Sequence, residues 1–189
     1  MRVGWVAGPT TLEHQGVLLS LWAKELLRQG FEVCVFCPED EETSMLRIPL
    51  DAIHFYTLPR WLGFSGGKSA SLAEAVRATG PNVLHSLDGT VGSLTAAVGD
   101  RLSLPYYVSC YRLGERLTLP HRGRRCSAVL AASEPILNDL RKRHLLDEEK
   151  LHLLRPGVVP QSEPKRLEFT NRRALSITAS RRAWSTATL

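Results

Sequence analysis

The sequence predicts an α/β fold, an open parallel sheet with helices on both faces. Short β-rich runs alternate with segments of helical periodicity over most of the 189 residues. Hydrophobic residues make up 43% of the chain and charged residues 23%, as in soluble domains that bury a core. The length suits one domain with a short appendage. A wholly disordered chain and a disulfide-stapled miniprotein are therefore excluded.

The start of the chain predicts a β-loop-α-β unit. Residues 3–7 form an apolar run, and we expect residues 8–16 to be a loop. In residues 17–29 apolar side chains recur every four positions, which gives a helix one apolar face. Gly30 ends this helix, and residues 32–37 read as the next strand.

Predicted strands and helices continue to alternate between residues 53 and 154. Ser71 and Glu74 have the spacing of a capping box, and Ser133 followed by Pro135 has the pattern of an N-cap with proline in the first turn. The predicted strands are residues 53–58, 83–87, 106–110, 128–132 and 151–154, and the predicted helices are residues 72–79, 90–102 and 134–144.

The positive charge of the chain is unevenly distributed. The formal net charge is +5, and residues 161–189 contain six basic and only two acidic side chains. The preceding body is therefore nearly neutral. The excess positive charge lies in a tail that reads as a linker, so we expect no nucleic-acid partner, and salt-dependent binding through that tail is the minor alternative.

The four cysteines match neither a disulfide framework nor a zinc site. Cys34 and Cys37 lie three positions apart in a predicted strand, so their side chains should point to opposite faces. Cys110 and Cys126 fit no zinc-binding spacing. We expect buried free thiols, a reducing compartment such as the cytosol, and neither a transmembrane span nor a signal peptide.

Candidate binding residues follow the predicted strands, because ligands bind open parallel sheets at the carboxyl ends of their strands. Gly8 and Gly16 would let the backbone approach a ligand and a helix N-terminus face an anion, or they only shape a turn. The loop lacks G-x-G-x-x-G, so NAD fits poorly. His85 reads either as a hydrogen-bonded core residue or as a ligand contact, and Asp88 either as a ligand contact or as a helix cap.

Two further patterns have an ordinary explanation. Residues 66–69 imitate the end of a phosphate-binding P-loop, but Leu62 stands where the first glycine is required. Two basic clusters are expected to be solvated surface, with phosphate or lipid headgroups as the alternative partner. These clusters are Arg122, Arg124 and Arg125, and Arg141, Lys142 and Arg143.

Several short passages follow one another in a specific order. They are Leu26–Val33 (LLRQGFEV), Pro81–His85 (PNVLH), Leu104–Pro105, Ala128–Glu134 (AVLAASE) and Lys150–Val158 (KLHLLRPGV). Together, over most of residues 1–160, they resemble the N-terminal half of a GT-B glycosyltransferase of family 4. The resemblance implies a Rossmann-like domain.

The resemblance also implies a function, which is retaining glycosyl transfer from a nucleotide-sugar donor to a sugar or glycolipid acceptor. It implies no metal or other cofactor, a cytoplasmic location, and contact with the inner face of the membrane as a further option. No catalytic residue is assigned. The expected substrate-binding residues are Gly8, Gly16, His85, Asp88, Arg112, Ser133, Glu134 and Gly157.

The chain departs from the family pattern in two respects. Leu87, Tyr111 and Val159 replace polar residues that are common in the family. The family's donor-binding second domain is represented only by residues 173–182, which resemble its opening strand. We therefore expect residues 1–160 to be the acceptor-side domain and residues 161–189 a poorly ordered linker and stump. The chain alone should be inactive, and a non-catalytic Rossmann-like binding module is the alternative.

Overall fold

A computed structural model describes most of the chain before residue 156. The described residues are 1–9, 11–39, 43, 46–57, 65–114, 117, 119, 124–143 and 146–155. The predicted boundary near residue 160, the predicted stump at 161–189, and the residues Gly157 and Arg122 lie outside them.

A parallel sheet forms the centre of the described domain. Its seven strands are arranged in the order β3-β2-β1-β4-β5-β6-β7, and each neighbouring pair is parallel. The predicted open parallel sheet is thus confirmed. The strands are β1 (Arg2–Val6), β2 (Glu32–Pro38), β3 (Ile53–Tyr56), β4 (Val83–Ser86), β5 (Tyr106–Cys110), β6 (Cys126–Ala131) and β7 (Leu151–Leu153).

Helices cover both faces of the sheet, as predicted. The apolar side chains of α1 pack with Trp5 and Val35 on one face, which we call the α1 face. Those of α2, α3 and α4 pack with Phe36 and Val108 on the other. The helices are α1 (Thr11–Arg28), α2 (Ser65–Thr79), α3 (Gly92–Leu102) and α4 (Glu134–Lys142).

The predicted loop at residues 8–16 is wrong, because α1 begins at Thr11. The Gly8 N–H donates to the Thr11 hydroxyl over 2.8 Å, and the Thr11 N–H donates to the Gly8 carbonyl over 3.1 Å. These two bonds close a tight turn directly after β1. Gly16 therefore lies buried within the helix and not in a loop.

The predicted start of the second helix is also wrong. α2 begins at Ser65, six residues before the capping-box serine. Ser71 lies inside α2 and is not its N-cap. Its hydroxyl accepts a 3.1 Å hydrogen bond from the N–H of Thr57, the residue that follows β3. Residues 66–69 are helical, so their backbone does not form a phosphate-binding loop.

The cysteine prediction is confirmed. All four thiols are free and buried. Cys34 lies in the core beneath α2–α4 and Cys37 in the core beneath α1, as strand alternation requires. Burial raises the pKa of the Cys34 thiol, and it raises that of Cys126 to about 11. Both thiols are therefore protonated at neutral pH.

Burial and protonation together should make the thiols unreactive in the folded protein, since the thiolate is the reacting form. We expect a chromogenic disulfide reagent to titrate almost no thiol in native protein at pH 7.5, and all four cysteines after unfolding in guanidinium. Rapid labelling of one or more cysteines without denaturant would contradict the buried arrangement.

Candidate functional site

The site begins where the strand order reverses. From β1 the chain proceeds outward to β2 and β3, and it then returns to place β4 on the other side of β1. The helices that follow β1 and β4 thus lie on opposite faces of the sheet, and the carboxyl edge between them is the position at which open α/β sheets bind ligands. Gly8 lies in the loop after β1 and Asp88 in the loop after β4.

A buried carboxylate ties these two loops together. Asp88 is 3% exposed, and its carboxylate accepts hydrogen bonds from the Thr11 hydroxyl, the Thr90 hydroxyl and, over 2.8 Å, the Thr90 N–H. The Ser86 hydroxyl donates to the Asp88 carbonyl over 2.6 Å. We call Gly8, Thr11, Asp88 and Thr90 the Asp88 cluster.

Glycine is the only residue type that this cluster accommodates at position 8 without movement of its neighbours. A Cβ at this position would lie 2.7 Å from the Thr90 hydroxyl oxygen and 2.8 Å from a carboxylate oxygen of Asp88. The two loops therefore pack directly against each other. Asp88 caps the turn at Gly89–Val91. Of the two roles that the sequence left open, ligand contact and capping, the structure shows capping. The Asp88 carboxylate positions the loops.

His85 lies on the α1 face, beside β5. Its Nε2 is 2.8 Å from the Ser109 hydroxyl, and its ring meets that of Tyr107 edge-on with a centroid distance of 6.4 Å. Burial lowers the pKa of His85 to about 4. The imidazole is therefore neutral at physiological pH, and it holds Ser109 in place as a hydrogen-bonding partner.

Next to this pair, a cavity of about 200 Å³ opens at the carboxyl ends of β5, β6 and β7. We call it the Ser109 pocket. Its walls are mostly aliphatic or aromatic, and Arg155 is the one lining residue with a charged side chain. The lining residues are Trp22, Ser109, Tyr111, Leu130, Ala132, Leu154 and Arg155.

The pocket combines the elements of a small-ligand site. Trp22 and Tyr111 offer aromatic rings, on which the C–H face of a sugar can pack. Ser109 supplies a hydroxyl whose position is set by His85. Arg155 is exposed, and no carboxylate among the described residues pairs with it. Binding sites are typically built in this way, from apolar walls and a few fixed polar groups.

The structure brings together some of the predicted site residues and separates others. Gly8 and Asp88 meet in the Asp88 cluster, and His85 borders the Ser109 pocket through Ser109. Arg112 is exposed directly after the lining residue Tyr111. Gly16 lies inside α1, and Gly157 is outside the described residues.

Ser133 and Glu134 lie at the start of α4. Ser133 occupies the N-cap position, as predicted, but its hydroxyl makes no capping bond. Glu134 is the first helical residue and is exposed. Both directly follow Ala132, which lines the pocket. Their role in substrate binding stays a prediction.

Sequence reasoning missed Ser109, and it missed Trp22, which lies within residues 17–29 and so within the helix predicted to have one apolar face. Ser109 is 4% exposed within a strand of otherwise large or apolar residues, Tyr106–Cys110. A buried hydroxyl needs a partner, and this is the signal that could have revealed it. That the partner is His85 depends on the pairing of β4 with β5.

Three residues of the two basic clusters contact neighbouring groups, and two of these contacts are ion pairs. Arg141 pairs with Glu148 over 3.0 Å, and Arg143 pairs with Asp139. Arg125 donates to the carbonyl and the hydroxyl of Ser103. Whether the clusters are solvated surface or contact anionic groups stays a prediction.

The described residues contain no candidate for a membrane-spanning helix and none for a metal-binding cluster. None of the helices found there is both long and apolar enough to cross a membrane. Across the same residues, His, Cys, Asp and Glu side chains form no group of three that could hold a metal ion.

The family model described as Glycosyltransferase Family 4 matches residues 15–162. The chain belongs to this glycosyltransferase family. The match covers most of the sequence, including the strands that build the Ser109 pocket. The family resemblance recognised in the sequence is thereby confirmed.

Solved structures show the same fold for this family 4 domain. MurG from Acinetobacter baumannii superposes with a TM-score of 0.61 at 15% identity, over 86% of this chain and 47% of its own. HepE from Anabaena, in complex with UDP-glucose, gives 0.62 at 15% identity, over 84% and 44%. A UDP-N-acetylglucosamine 2-epimerase gives 0.54 at 10% identity, over 80% and 47%.

These similarities establish the fold, a Rossmann-like domain that matches one half of GT-B proteins. The chain spans about half the length of the solved structures. No curated protein sequence matches this family 4 domain. Because the fold is shared by transferases and an epimerase, it does not by itself identify the reaction.

Proposed function

We propose that this family 4 domain is the acceptor-side half of a retaining glycosyltransferase that uses a nucleotide-sugar donor. Family membership across residues 15–162 carries the proposal. A nucleotide sugar as donor is supported by HepE, which shares the fold and was solved with UDP-glucose. The Ser109 pocket supports the acceptor assignment, because it is a small site of sugar-compatible chemistry at the carboxyl edge.

The contribution of this domain to the reaction is positioning. The Ser109 pocket would hold one acceptor ring so that its hydroxyl faces the donor, which removes much of the entropic cost of bringing two substrates together. The Asp88 cluster would fix the first loop at the same edge. We place the donor, and the groups that stabilise the departing diphosphate, in a second domain outside residues 1–189. The proposal requires no metal ion or other cofactor.

The location proposed for the reaction is the cytoplasm. Four reduced, buried thiols support a reducing compartment. A glycolipid acceptor would bring the enzyme to the inner face of the membrane. The paired state of Arg141 and Arg143 leaves those two cations less available for lipid headgroups.

We expect residues 1–189 alone to give no transfer product. The test is incubation of the purified chain with radiolabelled UDP-glucose and a panel of glycosides, followed by chromatographic separation. No labelled glycoside should form, because the proposal places donor binding elsewhere. Donor-dependent product that disappears on boiling the protein would overturn the assignment of inactivity.

One observation favours the alternative, a non-catalytic Rossmann-like binding module. The carboxylate of Asp88, which is buried at the carboxyl edge of the sheet, already accepts hydrogen bonds from Thr11 and Thr90. Sequencing the DNA downstream of codon 189 separates the two functions. An open frame with the Glu-x7-Glu pattern of a donor domain would support the transferase, and a stop codon without such a domain would support the module.

A further inference from the structure

The Ser109 pocket has a charge property that points to one class of acceptor. Arg155 is the only charged residue that lines it among the described residues. No ion-pair partner for this guanidinium occurs in the described part of the chain. Arg101 and Arg112 likewise have no carboxylate partner among the described residues, so what distinguishes Arg155 is its position in the pocket wall.

The other lining groups determine which uncharged part of an anionic ligand the pocket can bind. Trp22 and Tyr111 are aromatic, and Leu130, Ala132 and Leu154 are aliphatic. The aliphatic hydroxyl of Ser109 lies 2.8 Å from the His85 Nε2, and Tyr111 and Trp22 also carry a polar O–H and N–H group. Because burial keeps this imidazole neutral at physiological pH, it adds no second positive charge beside the pocket.

Size restricts the ligand further. The cavity measures about 200 Å³, whereas pockets that hold drug-sized ligands measure roughly 300–1,000 Å³. A single ring with one substituent fits this space, and a complete nucleotide sugar does not.

We propose that the Ser109 pocket binds an acceptor sugar that carries an anionic group, either a carboxylate or a phosphate, which pairs with Arg155. This inference rests on the proposed acceptor role of the domain. The sugar ring packs on the aromatic wall and hydrogen-bonds to Ser109. The anionic group lies at the rim, where the guanidinium is accessible.

Matched probes test the proposal by binding alone. Methyl β-D-glucoside and methyl β-D-glucuronide differ only in the hydroxymethyl group that the carboxylate replaces, and glucose and glucose 1-phosphate differ only in the phosphate. Saturation-transfer NMR titrations of residues 1–189 should show about fivefold tighter binding of the anionic member of one pair, as for a partly exposed ion pair. The preference should shrink when salt is raised, because the charges are screened. The preferred pair identifies the anionic group.

The variant Arg155→Gln should bind both members of that pair equally, and Arg155→Lys should keep part of the preference. Arg101→Gln is the matched control, because Arg101 is exposed at the end of α3, on the opposite face of the sheet. It should retain the full preference. Ser109→Ala should weaken both members while keeping their ratio, which locates binding in the pocket.

The outcomes separate this inference from the proposed function. Binding of neutral and anionic probes with equal affinity in both pairs would overturn the anionic preference and leave the acceptor role standing. Absence of binding by all four probes would contradict the acceptor role itself. A preference that persists in Arg155→Gln would overturn the assignment to Arg155.

Discussion

Replacement of Asp88 by alanine is expected to lower the free energy of unfolding by about 3 kcal/mol, because buried hydrogen bonds to a charged acceptor are each worth about 1.5–3 kcal/mol. The carboxylate is 3% exposed and accepts from the Thr11 hydroxyl, the Thr90 hydroxyl and the Thr90 N–H. The substitution leaves these donors without their acceptor. Guanidinium unfolding followed by circular dichroism measures the change.

Two variants make the Asp88 experiment specific. Asp88→Asn keeps an acceptor oxygen for the Thr90 N–H, so it should recover part of the lost stability. Asp147→Ala is the matched control, since Asp147 is exposed and its side chain makes no capping bond. We expect it to cost less than about 0.5 kcal/mol, as is usual for surface substitutions. Equal effects of Asp88→Ala and Asp147→Ala would show that the Asp88 cluster does not stabilise the loops.

His85 should make the fold sensitive to acid. Its pKa is lowered from 6.5 to about 4 by burial, so between these values the unfolded chain binds a proton that the folded chain excludes. Stability is therefore fully present above pH 6.5 and is lost as the pH falls towards 4. We expect this single group to remove about 2 kcal/mol over that range, since one pKa unit corresponds to about 1.4 kcal/mol and partial exposure of the ring reduces the effect.

The difference between the wild-type protein and His85→Gln isolates this effect from the carboxylates that titrate in the same range. Urea unfolding at pH 7.0, 6.0, 5.0 and 4.5 should give a shallower pH dependence for the variant. The control is His152→Asn, which replaces an exposed histidine on β7. Parallel pH profiles for His85→Gln and the wild-type protein would refute the prediction.

The strands were predicted more accurately than the helix starts, and the reason is physical. A buried strand is a local run of apolar residues, and Tyr106–Cys110 was predicted with both ends correct. The start of α2 depends instead on a contact across the fold, since Ser71 bonds to the backbone after β3 and not to its own helix. A capping-box spacing does not distinguish these two uses of a serine.

The sequence by itself determined the alternation of strands and helices, the opposite faces of Cys34 and Cys37, and the family, because each depends on neighbouring residues or on their order. Only the tertiary structure decided where the binding groups meet. Trp22, Ser109, Leu130 and Arg155 lie far apart in sequence, and they share one pocket because α1 packs against a sheet in which β5, β6 and β7 are adjacent. The pairing of His85 with Ser109 has the same origin. Local patterns specify what each segment forms, and the order of strands in the sheet specifies which side chains come together.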